Sequence, residues 1–127
     1  MLLHPHHIGT TADGRRYIRI NRNDLPVYTP IEGEYEIGKM YRIVEGSDVV
    51  IFATGAMVWK SVEAATMLKA EGISAEVINV SSLKPLKKSE ILKYTAGKKA
   101  IVTADESTKI GGLGSAIAAQ IIGEVNL

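Results

Sequence analysis

The first 14 residues mix histidine, proline, glycine and threonine with no apolar period, which predicts a poorly ordered leader over 1–14. Arg15 to Ile20 then brings Tyr17, Ile18 and Ile20 together as strand formers, and Asn21-Arg22-Asn23-Asp24-Leu25-Pro26 halts that run with turn chemistry. No period survives between residues 24 and 38, where Pro26, Pro30 and Gly33 predict a linker laid over a surface. From Gly38 the pattern becomes regular. Met40 to Val44 and Asp48 to Thr54 predict two strands, the second apolar on both faces, as a strand sandwiched between helix layers must be. Val62, Ala65, Met67 and Leu68 recur at helical spacing over Met57 to Glu71, and Gly72 marks the stop. Ala75 to Val80 predicts another strand, with a crossover long enough for a right-handed parallel βαβ unit. A short helix opening at Pro85 and ending at Gly97, a strand over Lys99 to Ala104, and a helix over Ser115 to Ile122 continue the alternation. The expectation is an α/β fold, a three-layer α/β/α sandwich on a mostly parallel mixed sheet. A further strand and helix would complete such a sandwich, so the domain is expected to lack its last pair and to leave one sheet edge open or covered by a partner.

Composition narrows the partners. Fifteen Lys and Arg residues nearly balance 14 Asp and Glu residues. No long-range field therefore draws nucleic acid or an anionic membrane, and neither is expected as a partner. The longest apolar run, Val49 to Ala53, is too short to span a bilayer, and His4-Pro5-His6-His7 breaks any signal-peptide pattern, so a soluble protein is expected. There is no cysteine, which removes disulfides, thiolate zinc sites and a cysteine nucleophile and fits a cytoplasmic setting.

Candidate chemistry is thin. His4, His6 and His7 offer imidazole but no nearby carboxylate or apolar scaffold, so a solvated arm is preferred to a metal site. All three histidines lie in the leader, which rules out a Ser/His dyad inside the compact domain. Gly111-Gly112-Leu113-Gly114 precedes a helix, where free N–H groups favour anions, but Ile117 stands where a dinucleotide fingerprint needs its third small residue, and no Gly-Lys-Ser/Thr follows. Close helix packing is the expected role. Asp105 and Glu106 sit at the carboxyl end of a strand, where ligands gather in open α/β sheets. As neighbours on extended chain they point to opposite faces, so a cap, a loop hydrogen bond or an interface contact is expected rather than an acid/base pair. No catalytic, cofactor-binding or metal-binding residue is assigned from local sequence.

The order of segments carries more. SDVVIFATGAMVWKSVEAATMLKAEGISAEVINVSSLKPL followed by KKAIVTADESTKIGGLGSAIAAQI resembles the C-terminal domain shared by transketolases, 1-deoxyxylulose-5-phosphate synthases and 2-oxo acid dehydrogenase beta subunits, over about residues 38 to 123. Upstream, DGRRYIRINRNDLPV resembles the end of the neighbouring pyrimidine-binding domain. The resemblance implies a leader over 1–14, the tail of that domain and a linker over 15–37, and a transketolase C-terminal domain over 38–127. It implies an assembly-forming part of a thiamine-diphosphate-dependent enzyme that moves two-carbon ketol units between sugar phosphates. The cofactor and its magnesium would be held by missing pyrophosphate and pyrimidine domains or subunits, with this chain inactive alone and homo-oligomeric. Asn21-Arg22-Asn23-Asp24-Leu25 resembles the family's Ser-Arg-Gln-Asn-Leu segment, which implies phosphate binding by Arg22, whose planar fork offers paired donors. Asn21 and Asp24 depart from that segment, and Arg19 competes as the family's strand arginine. Ala56-Met57 stands where many transketolases have Ser-Glu, and Ser107 where many have histidine or asparagine. Beside the enzyme reading stand a non-catalytic interaction module and a small-ligand binder at the strand ends. Within the family, the synthase and the dehydrogenase beta subunit remain open.

Overall fold

The computed structural model describes residues 14–18, 20, 25, 26 and 35–124. Four strands and three helices follow in the order β1 (Tyr41–Val44), β2 (Val49–Ala53), α1 (Met57–Ala70), β3 (Ala75–Asn79), α2 (Lys88–Thr95), β4 (Ala100–Ala104) and α3 (Leu113–Ile121). They form one mixed sheet ordered β1-β3-β2-β4. β2 pairs in parallel with both β3 and β4, whereas β1 runs antiparallel to β3 with a bulge between Arg42 and Val44.

Alternation along the strands builds two cores. Val50 and Phe52 of β2, with Ile78 and Val80, point toward α2 and α3 and pack against Ile91, Leu113, Ile117 and Ile121. Ile51, Ala75 and Val77 point the other way, onto Ala65, Val62 and Leu68 of α1. Each large side chain so buried contributes about 1.5–3 kcal/mol. β2 and β3 are covered on both faces and read as continuous apolar runs for that reason, while the edge strand β4 leaves Val102 45% exposed.

The connection from β1 to β2 must cross the amino end of β3, which lies between them in the sheet. Gly46 makes that crossing at backbone contact: a Cβ there would stand 2.2 Å from the Ala75 carbonyl carbon. Only glycine lets the two chains come so close.

Three expectations are corrected. The helix expected to open at Pro85 begins at Lys88, because Ser81 to Lys87 is spent on a loop that returns the chain from β3. Of the strand expected over 15–20, the described residues 15–18 and 20 lie outside the sheet, with Tyr17 91% exposed. Strand formers without a neighbouring strand have no ladder to join. The final helix begins at Leu113 rather than Ser115, a displacement within ordinary end fraying.

Candidate functional site

β2, β3 and β4 run parallel, so their carboxyl ends share one rim of the sheet. Thr54 ties that rim together. Its N–H donates to the Ala104 carbonyl at 3.2 Å, and its hydroxyl donates to the Val80 carbonyl at 2.9 Å. Beyond β4 a cleft of about 540 Å³ opens, lined by Thr103, Asp105, Ser107, Thr108, Lys109 and Ser115 among others.

Asp105 organises this cleft. Its Oδ1 accepts the Ser107 N–H at 3.0 Å, and its Oδ2 accepts the Leu113 N–H at 3.1 Å, so it fixes the loop and closes the N-terminus of α3. Ser115 then donates its hydroxyl to the Lys109 carbonyl at 2.6 Å. Of the pair singled out in the sequence, Asp105 is therefore a cap and loop anchor, while Glu106 is exposed. Close packing holds at two of the run's glycines: a Cβ on Gly114 would meet the Thr103 hydroxyl of β4 at 2.8 Å, and one on Gly112 the Thr108 carbonyl oxygen of the preceding loop at 2.2 Å, while Gly111, at φ +73°, has open space.

These residues do not fit a diphosphate. The first N–H of α3, that of Leu113, is taken by the Asp105 carboxylate, whose charge repels an anion, and the space beside Gly112 and Gly114 is filled by the protein itself. At α1, the N–H groups of Met57 and Val58 donate to the Thr54 and Gly55 carbonyls. Among the described residues no group of three or more His, Cys, Asp or Glu is placed to hold a metal ion. His4, His6, His7, Arg19 and Arg22 lie outside the described residues.

Two clusters had no local signal in the sequence. At the opposite end of the sheet, Glu76 is 2% exposed on β3 and is held by two cations. Arg42 Nε pairs with its Oε1, and Lys98 Nζ stands 2.8 Å from its Oε2 as an ion pair without the alignment of a hydrogen bond. At the strand-carboxyl end, Ser82 and Glu90 bond the backbone of the incoming chain from 44 and 50 residues away. Periodicity and motifs report on neighbours in sequence, and these partners are not neighbours.

The fold and this rim define an open three-layer α/β domain whose glycine-rich turn serves helix packing. Residues 38–126 match the family model described as the transketolase C-terminal domain. The chain belongs to the transketolase C-terminal domain family. It is 42% identical over 112 residues to a 6-deoxy-6-sulfo-D-fructose transketolase subunit of Clostridium sp. (strain MSTE9), covering 88% of this chain and 34% of that protein. A 1-deoxy-D-xylulose-5-phosphate synthase of Heliobacterium modesticaldum is 48% identical over 81 residues, covering 64% of this chain and 12% of that protein. A split-gene transketolase solved as an inactive beta4 tetramer superposes with a TM-score of 0.77 at 40% identity, over 84% of this chain and 35% of that one. The chain thus spans about a third of the subunit and of the solved chain it matches. No helix among the described residues is long and apolar enough to cross a membrane.

Proposed function

We propose that this chain supplies the C-terminal, assembly-forming part of a transketolase-type enzyme that transfers two-carbon ketol units between sugar phosphates in the cytoplasm. The observation that carries this reading is the family match over residues 38–126, together with 42% identity over 112 residues to a relative described as a transketolase subunit. In this reading residues 1–14 are a leader, 15–37 the end of a pyrimidine-binding domain and its linker, and 38–127 the C-terminal domain. Thiamine diphosphate and magnesium belong to the pyrophosphate and pyrimidine modules of the assembly, and the cofactor there supplies the carbanion chemistry. The cleft residues of this chain cap and brace their own loops, so its contribution is to pack against those modules and against a second copy of itself. Arg22 is its proposed substrate contact, binding the sugar phosphate through the guanidinium fork.

The match to a deoxyxylulose-phosphate synthase supports a second reading within the family. Mixing the chain with a cognate chain carrying the pyrophosphate and pyrimidine modules, thiamine diphosphate and magnesium tests both. Ketol transfer by the mixture and by neither chain alone is expected. Formation of 1-deoxyxylulose 5-phosphate instead selects the synthase. A mixture that forms no complex and shows no activity overturns the enzyme reading in favour of a non-catalytic module.

A further inference from the structure

β1 begins at Tyr41, so the backbone N–H groups just ahead of it have no strand to bond. Gly38 and Met40 are nonetheless buried, and a buried N–H without a partner is costly. A side chain from the loop after β3 and one from the first turn of α2 meet that need. The Gly38 N–H donates to Ser82 Oγ at 2.9 Å, and the Met40 N–H donates to Glu90 Oε2 at 3.0 Å. The Tyr35 hydroxyl lies 3.3 Å from the same Ser82 Oγ, so one hydroxyl meets the segment at two points.

The segment is shaped to receive this grip. Its Glu36 N–H donates to the Tyr41 hydroxyl at 2.7 Å, and the Tyr35 and Tyr41 rings stack at 5.8 Å between centroids. Gly38 adopts φ +89°, and a Cβ there would come 2.8 Å from the Lys87 side chain. Every contact lies at the strand-carboxyl end, since Ser82 follows β3 and Tyr41 pairs with Asn79, the last residue of β3.

We propose that Ser82 and Glu90 are positioning residues. They clasp residues 35–41 to the domain and fix the direction along which the chain enters from whatever precedes it. A linker held only by its covalent ends samples many directions. Two side-chain acceptors within this seven-residue segment select one, and so orient an upstream module before any contact between modules is made.

The test uses the 127-residue chain alone, labelled with nitrogen-15, and reads amide hydrogen exchange at Gly38 and Met40. Both are expected to be protected. Ser82→Ala should lower Gly38 protection by about tenfold while Val50 to Phe52 stay protected, and Ser82→Thr should restore it. Glu90→Ala should release Met40, whereas Glu90→Gln, which keeps an acceptor, should hold it. Should Ser82→Ala fail to fold, the Glu90 pair decides, together with Tyr35→Phe, which leaves the Gly38 bond intact and is expected to spare its protection. Because the natural sequence has no cysteine, spin labels on Ile37→Cys and Glu63→Cys report the direction itself, with a narrow distance distribution that Ser82→Ala broadens. Unprotected Gly38 and Met40 in the natural chain, equal behaviour of the alanine and conservative variants, or deprotection spread evenly into β2 overturns the clasp. No enzyme is needed for these measurements, so their failure leaves the transketolase-type reading standing, and failed reconstitution leaves the clasp standing.

Discussion

Lys99 holds Asp48 twice across 51 residues: its N–H donates to the Asp48 carbonyl at 2.7 Å, and its ammonium reaches the Asp48 carboxylate at 2.9 Å. The same carboxylate accepts the Ser74 N–H at 2.8 Å. One residue thereby pins together the starts of β2, β3 and β4, the end of the sheet where the crossovers return.

This bonding sets an acid response. The Ser74 N–H, and then the Lys99 ammonium, hold the Asp48 carboxyl below its ordinary value of 3.8. A depressed carboxyl contributes stability that is present above the ordinary value and lost as pH falls through the lowered one. Asp48→Asn should therefore be less stable than the natural chain at neutral pH, with the gap closing as pH falls below about 4. Urea unfolding at a series of pH values checks this, and a gap independent of pH would contradict it.

The Glu76 cluster predicts a non-additive pair. Lys98→Ala strands part of a buried carboxylate and should cost about 3 kcal/mol. Adding Glu76→Gln to Lys98→Ala removes the stranded charge and should recover part of that loss. Urea midpoints of the two single variants and the double variant measure the coupling.

Gly46 and Gly97 separate two reasons for glycine. Gly46→Ala drives a methyl group into the backbone of β3 and should cost at least about 3 kcal/mol. Gly97, at φ +73°, has open space around its Cβ direction, so Gly97→Ala should cost only about 1 kcal/mol of backbone strain. Thermal unfolding of both variants ranks them.

Asp105→Ala removes the acceptor that closes α3 and should cost about 1–2 kcal/mol. Asp105→Asn, which keeps an oxygen in place, should cost less. Chemical denaturation monitored by helical circular dichroism reads the difference.

In the reconstituted enzyme, Arg22→Ala should raise the apparent KM for phosphorylated sugars by an amount equal to about 1.5–3 kcal/mol, the range for a hydrogen bond to a charged group. Unchanged steady-state kinetics would contradict the proposed phosphate contact.

Local pattern determined much of this protein. The two-sided apolar run VVIFA has the pattern of an inner strand, the helical spacing of Val62, Ala65 and Leu68 made α1, and close packing at Gly112 and Gly114 was legible because the spacing of the glycine run suits no phosphate loop. The strand and the helix are consequences of periods two and 3.6, which a short window of chain contains in full. What the window does not contain was decided only by the tertiary structure. The strand order β1-β3-β2-β4 forces the first connection across β3 and so demands Gly46. The same assembly buries Glu76 between Arg42 and Lys98, and carries Ser82 and Glu90 to amides 44 and 50 residues away. Strand formers at Tyr17 and Ile18 make the converse point: among the described residues they meet no neighbouring strand and form none, because a ladder's energy lies between segments rather than within one.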